Sequence, residues 1–191
     1  MPHLRIASLD FETANPSDAS ICAAGVSIFE GGEFLETRHW LVRPPKGHGW
    51  FHENFIAVHG ITHRNVFAAR EFPEVAAELL PLLTAADLVI AHNALFDLRM
   101  LRGTLHHYEM AHPGFPCLCT CRAARRTWPH LPNHKLGTVA NHIGHTFHHH
   151  HAGEDAEAAG RAIIAMMKQS GTDWLDELSR FETFSRMEEA A

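Results

Sequence analysis

The 191-residue sequence predicts one α/β domain, a mixed sheet flanked by helices. Two observations carry that expectation. Signals for antiparallel strands come first along the chain, and alternating helix and strand signals follow them. No internal repeat or Pro/Gly/Ser-rich linker divides the chain, and its length suffices for one substantial core.

Leu4 to Phe11 reads as the first strand. ICAAGVSIFEGGEF holds two β-prone runs split by Gly31-Gly32, a hairpin signal. The second run continues through Arg38, His39, Trp40, Leu41 and Val42 and stops at Pro44-Pro45. A Gly- and aromatic-rich loop follows. Pro73 then opens the helical pattern PEVAAELLPLL, with Glu74 early, where the helix dipole favours an acid. Asp87 to His92 is a short apolar strand, and Asn93 is the expected cap of the helix ALFDLRMLRGTL. CLCT is a further strand and TCRAARRTW a short helix. Helices over Lys135 to Ile143 and Ala152 to Lys168 complete the pattern. Residues 1–170 form the expected domain, and 171–191 a helical extension packed on it.

Composition narrows the class. Apolar residues make up 46% and charged residues 20%, a globular balance. No run approaches the ~20 apolar residues of a membrane span. MPHLRIASLDFET meets a carboxylate too early for a secretory leader, so the expected location is cytoplasmic. The net charge of −6 argues against a general electrostatic grip on duplex nucleic acid. It leaves room for an acidic metal pocket, which repels phosphate only until divalent cations fill it. Cys22, Cys117, Cys119 and Cys121 are too few and clustered for a disulfide framework, and they lack C-x-x-C spacing. A strand through CLCTC would put the last three on one face as small buried side chains.

Four carboxylates stand apart from surface charge. Asp10 and Glu12 are two residues apart on the first strand and share a face, ~7 Å apart along it. Leu9 and Phe11 point the other way, into a core. Asp97 has Met100 and Leu101 as its helical neighbours, so it lies on an apolar stripe. Asp155 repeats that pattern with Ala159 and Ile163, while Glu154 and Glu157 fall off the stripe. Inward acids need something positive between them, and divalent metal is the economical answer. His150, five residues before Asp155, has a side chain suited to taking a proton from an attacking water. Its neighbours His149 and His151 compete for that role. Arg122, Arg125, Arg126, His130 and Lys135, with Trp128 among them, form a basic patch suited to guiding phosphates.

These residues resemble the motifs of the DEDDh (DnaQ-like) exonucleases, a superfamily that includes the proofreading epsilon subunit of bacterial DNA polymerase III, RNase T and oligoribonuclease. The first motif resembles Asp10-Phe11-Glu12-Thr13, the second Ala91 to Asp97, and the third His150 and Asp155 in HHAGEDA. VHGIT and NHKLGTVANHIG are similar to further stretches of the family. The sister class carries a tyrosine where this chain has His151, so the histidine class fits. The resemblance implies an RNase H-like sheet of five strands, the first three antiparallel. It implies that Asp10, Glu12, Asp97 and Asp155 hold two Mg²⁺ or Mn²⁺ ions and that His150 removes a proton from the attacking water. It also implies that Thr13, Val58, His59 and Phe96 pack around the terminal nucleotide. The expected activity is 3′→5′ removal of 5′-nucleoside monophosphates from single-stranded nucleic acid ends, DNA rather than RNA. A DNA polymerase or repair partner is expected. Three alternatives differ in class or substrate: an RNase T-like or oligoribonuclease-like exoribonuclease, an accessory module recruited to a polymerase through WLDELSRFETF, and a histidine-rich metal-handling protein.

Overall fold

A computed structural model describes residues 3–171. WLDELSRFETF and the expected 171–191 extension thus lie, beyond Gly171, outside the described residues. Five strands form one mixed sheet: β1 (Arg5–Thr13), β2 (Ile21–Glu30), β3 (Glu33–Leu41), β4 (Leu88–Ala91) and β5 (Cys117–Cys119). Their spatial order is β3-β2-β1-β4-β5. The first three pair antiparallel, and β4 and β5 run parallel to β1. Gly31 and Gly32 turn the β2–β3 hairpin at φ of 60° and 89°, a conformation that costs glycine little.

The period of two along β1 sorts its side chains between two layers of helices. Ala7, Leu9 and Phe11 pack with α3 (Phe72–Thr84) and α4 (Leu95–His107), through Val75, Leu79, Leu83, Leu98 and Leu101. On the other face Ile6 packs with α5 (Thr120–Thr127), α6 (Leu136–His142) and α7 (Ala152–Ser170), through Ala123, Val139, Ile163 and Met166. Asp10 and Glu12 belong by parity to this second face, beside the start of α7. Two glycines let α7 come so close. A Cβ on Gly25, the strand partner of Asp10, would lie 2.1 Å from the Ala152 carbonyl oxygen, and one on Gly160 would lie 2.0 Å from the Phe29 ring.

The fold departs from the sequence expectations in four places. The loop after Pro45 contains two short helices, α1 (Glu53–His59) and α2 (His63–Val66). Capping rather than apolar periodicity defines them. The His52 ring accepts the Asn54 amide, Gly60 closes α1 at φ 73°, and Thr62 and Asn65 form a capping box. Asn93 is not a helix cap: it sits at φ 71°, a left-handed position asparagine tolerates, and α4 begins two residues later. Cys121 is not on the strand, because α5 starts at Thr120. Cys117 and Cys119 are buried in the core, and the half-buried Cys121 thiol donates to the His134 carbonyl at 3.4 Å. Trp128 is not part of a surface patch. It is buried, with its indole N–H donating to Gln169 Oε1 at 2.6 Å. Among the described residues no helix is long and apolar enough to cross a membrane.

Candidate active site

β1 brings Asp10 and Glu12 to its carboxyl end, α4 supplies Asp97 in its first turn, and α7 supplies Asp155 in its own. Carboxylate oxygens of Asp10, Glu12 and Asp155 lie within 4.8 Å of one another. Asp97 is 1% exposed, and its Oδ1 accepts the Phe11 amide at 3.1 Å. That bond ties α4 to β1 between the two strand acids. Asp155 is 3% exposed; its Oδ1 meets His149 Nδ1 at 2.8 Å, while its Oδ2 is buried without a hydrogen-bond partner.

Burial is the main force on the titration of all four acids. It holds Asp10 well above the ordinary carboxylate range, with further upward pressure from Asp97, Asp155 and Glu12. Glu12 is pushed up to about 8 by burial, then by the Asp155 and Asp97 charges. Asp97 is also pushed up to about 8 by burial, against the pull of backbone amides, with Asp155 adding to the rise. Asp155 is raised by burial, with His149 opposing. A cluster whose carboxyls resist ionisation, with one buried carboxylate oxygen unpartnered, fits a hard divalent cation, whose ligands are oxygens.

His150 stands at φ 69° with Nδ1 3.9 Å from Glu12 Oε1. Burial, then His149, hold its pKa below the ordinary histidine value. The competing histidines take distinct roles. His151 caps α7 by accepting the Glu154 amide at 3.4 Å and stacks on His39 at 4.2 Å. His148 is bound by Glu154. His149 contacts Asp155 directly, and the sequence singled it out only as a rival to His150. The His150 amide donates to the same His149 Nδ1 at 3.1 Å. A ring nitrogen carries either one lone pair or one proton, so Nδ1 serves either this amide or Asp155.

A cleft of about 600 Å³ lies over the cluster, lined by Asp10, Glu12, Phe96, His149, His150 and Asp155. The same lining includes Arg125, Asn133 and Lys135, so two residues of the basic patch share the cleft with the carboxylates. His92 joins the walls: its ring nitrogens hydrogen-bond Thr120 Oγ1 at 3.0 Å and the His134 carbonyl at 2.9 Å, and burial pulls its pKa down to about 4. Thr13, Val58 and His59 lie outside the cleft lining. Thr13 is buried, Val58 is exposed, and His59 Nε2 bonds the Thr13 carbonyl at 3.1 Å. His59 is nonetheless near enough to His150 for their charges to interact.

A pH dependence follows from these shifts. A carboxyl whose folded pKa is raised keeps a proton that the unfolded chain has released, so stability falls as pH rises. For Glu12 and Asp97 the window runs from the ordinary range of about 4 up to about 8. Metal-free protein is expected to melt lower at pH 8 than at pH 5.5. Mg²⁺ or Mn²⁺ is expected to raise the melting temperature more at pH 8, by roughly 5 °C or more. Equal metal shifts at both pH values, read by thermal denaturation, would contradict the cluster as a cation site.

Comparison with known proteins points the same way. The chain matches a family model for RNase T-type proteins, described as exonuclease, over residues 8–163. It is 33% identical over 166 residues to a DNA polymerase III of PolC type from Oceanobacillus iheyensis, covering 84% of this chain and 11% of that protein. A PolC-type polymerase from Thermotoga maritima is 28% identical over 180 residues, covering 91% of this chain and 13% of the relative. The chain thus spans a small fraction of these curated relatives. Among solved structures, Exonuclease X in complex with 5′ overhanging duplex DNA aligns at a TM-score of 0.68 and 24% identity, covering 88% of this chain and 93% of the other. The nuclease domain of 3′hExo, a DEDDh family member bound to rAMP, aligns at 0.72 and 16%, covering 88% and 94%. E. coli Exonuclease I in complex with a dA16 oligonucleotide aligns at 0.74 and 16%, covering 91% and 42%. These structures share the mixed five-stranded fold.

Proposed function

Since this chain belongs to the RNase T-type exonuclease family, the DEDDh 3′→5′ exonucleases, we propose that it removes 5′-nucleoside monophosphates from the 3′ ends of single-stranded DNA. The observation that carries the proposal is the convergence of Asp10, Glu12 and Asp155 in one cleft with His150 beside Glu12. Asp10, Glu12 and Asp155, with Asp97 behind them, would hold two Mg²⁺ or Mn²⁺ ions. Such ions supply Lewis-acid stabilisation of charge on the phosphoryl and leaving oxygens and make water easier to deprotonate.

The chain's own groups then have separable tasks. His150, neutral near pH 7 because burial lowers its pKa, accepts the proton of the attacking water. Phe96 offers a ring on the cleft wall for base stacking, which tolerates any sequence. Thr13, Val58 and His59 would pack around the terminal nucleotide at the edge of the cleft, with His59 held in place by the Thr13 carbonyl. Arg125 and Lys135, in the same cleft lining, would draw the strand's phosphates toward the acids. Replacing Arg125 and Lys135 together by alanine is expected to raise KM for an oligonucleotide about 10-fold with kcat nearly unchanged, and to flatten the salt dependence. Steady-state kinetics across a salt series checks this; an unchanged KM would remove these residues from the strand path.

DNA is favoured because the curated relatives are DNA polymerases and two of the similar structures are complexes with DNA. The same relatives favour work beside a DNA polymerase. An exoribonuclease reading also has support, from the rAMP bound to the similar 3′hExo nuclease domain and from a similar 3′-exonuclease structure that recognises a histone mRNA stem-loop. Digestion of 5′-labelled single-stranded DNA and matched RNA, with Mg²⁺ or Mn²⁺, separates the two. A ladder shortening from the 3′ end of DNA supports the proposal, a faster ladder on RNA transfers the chemistry to RNA, and no ladder on either overturns it.

A further inference from the structure

We propose that His149 is a positioning residue that clamps the two halves of the site together, setting Asp155 for a cation and His150 for proton transfer. The inference rests on the reading of the cleft as a metal-dependent hydrolytic site and assigns a role to a residue outside the resembling motifs.

The four consecutive histidines are not interchangeable. His148 and His151 both engage Glu154, one through its ring and backbone amide and the other as the α7 cap, and so pin the run to the start of α7. His149 and His150 are then turned toward the acids. His149 Nδ1 occupies Oδ1 of Asp155 at 2.8 Å and leaves the buried Oδ2 without a protein partner. One oxygen is thereby tied down and the other is left for a cation, the arrangement by which outer hydrogen bonds orient a metal-binding carboxylate.

On its other side His149 supports His150. The two rings stack at 4.0 Å with 7° between their planes. His150 needs such support, because a non-glycine residue at φ 69° is strained by about 1 kcal/mol or more. Phe147 backs the His149 ring at 5.4 Å and limits its swing. A single imidazole therefore holds the rotamer of one acid through Nδ1 and the ring of the base through its stacked face. Its ring is partly solvent-exposed, so replacement leaves the core intact.

The test compares His149→Ala and His149→Asn with wild type, with circular dichroism confirming the fold. Mn²⁺ binding is read by electron paramagnetic resonance without substrate, and kcat and KM are read on single-stranded DNA. His149→Ala is expected to weaken Mn²⁺ binding about 10-fold and to lower kcat 10- to 100-fold, with KM changing about twofold at most. His149→Asn is expected to recover Mn²⁺ affinity but not kcat, because an amide can bond Asp155 yet offers no ring for His150. Wild-type Mn²⁺ affinity in the alanine variant would overturn the hold on Asp155, and wild-type kcat would overturn the hold on His150. If wild type degrades neither DNA nor RNA, the functional reading fails, while the Mn²⁺ measurement still decides whether His149 orients Asp155.

Discussion

Asp10→Asn is expected to lower the exonuclease rate by roughly 10³-fold while raising the melting temperature of the metal-free protein at pH 8. The two effects have one cause. Asp10 stands within reach of Asp97, Asp155 and Glu12, and burial together with those charges pushes its pKa well up. The amide keeps the volume and cannot ionise, so the metal-free fold no longer loses stability by holding a proton on Asp10 that the unfolded chain releases. On the proposed reading the same change deletes an anionic ligand and leaves too little negative charge to hold cations. Single-turnover digestion of 5′-labelled DNA measures the first effect, and denaturation in the presence of a chelator measures the second. A variant that retains its rate would show that Asp10 serves no cation. A variant that is less stable than wild type without metal would show that its carboxylate is structural.

Gly25→Ala is expected to cost about 3 kcal/mol of stability, roughly 10 °C in melting temperature, and to reduce activity with it. The added Cβ would fall 2.1 Å from the Ala152 carbonyl oxygen and 2.5 Å from the Gly153 amide nitrogen, both backbone atoms at the start of α7. Backbone cannot swing aside as a side-chain tip can, so α7 must lift from β2. Asp155 sits in the first turn of that helix and moves away from Asp10 as it lifts. Gly160→Ala, which meets the Phe29 ring further along α7, is expected to destabilise with a smaller loss of rate in the folded fraction. Equal losses for both, measured on folded protein at matched temperature, would argue against a specific displacement of Asp155.

Much of the frame was legible because its signals are periodic. Alternation along β1 separates Leu9 and Phe11 from Asp10 and Glu12, and helical stepping puts Asp97 and Asp155 on buried stripes, where the structure has them at 1% and 3% exposure. The Gly31-Gly32 hairpin was equally plain, because a two-residue turn demands positive φ. Helices α1 and α2 escaped because seven and four residues are too short for periodicity to speak. Trp128 escaped for another reason. Arginines surround it in sequence, yet its own side chain turns inward to Gln169 across a separation of 41 residues.

Local pattern alone determined the mixed-sheet class, the Gly31-Gly32 hairpin and which acids are inward, since backbone periodicity and the cost of burying charge act over a few residues. Tertiary structure decided which side chains share the acids' company. His148, His149, His150 and His151 are indistinguishable by composition, and their separate partners, Glu154, Asp155, Glu12 and His39, come from three different elements. So too the close seat of α7 depends on Gly25, a residue 127 positions before the carbonyl it accommodates. Contacts of that range are set by how the layers pack, and no window along the chain contains them.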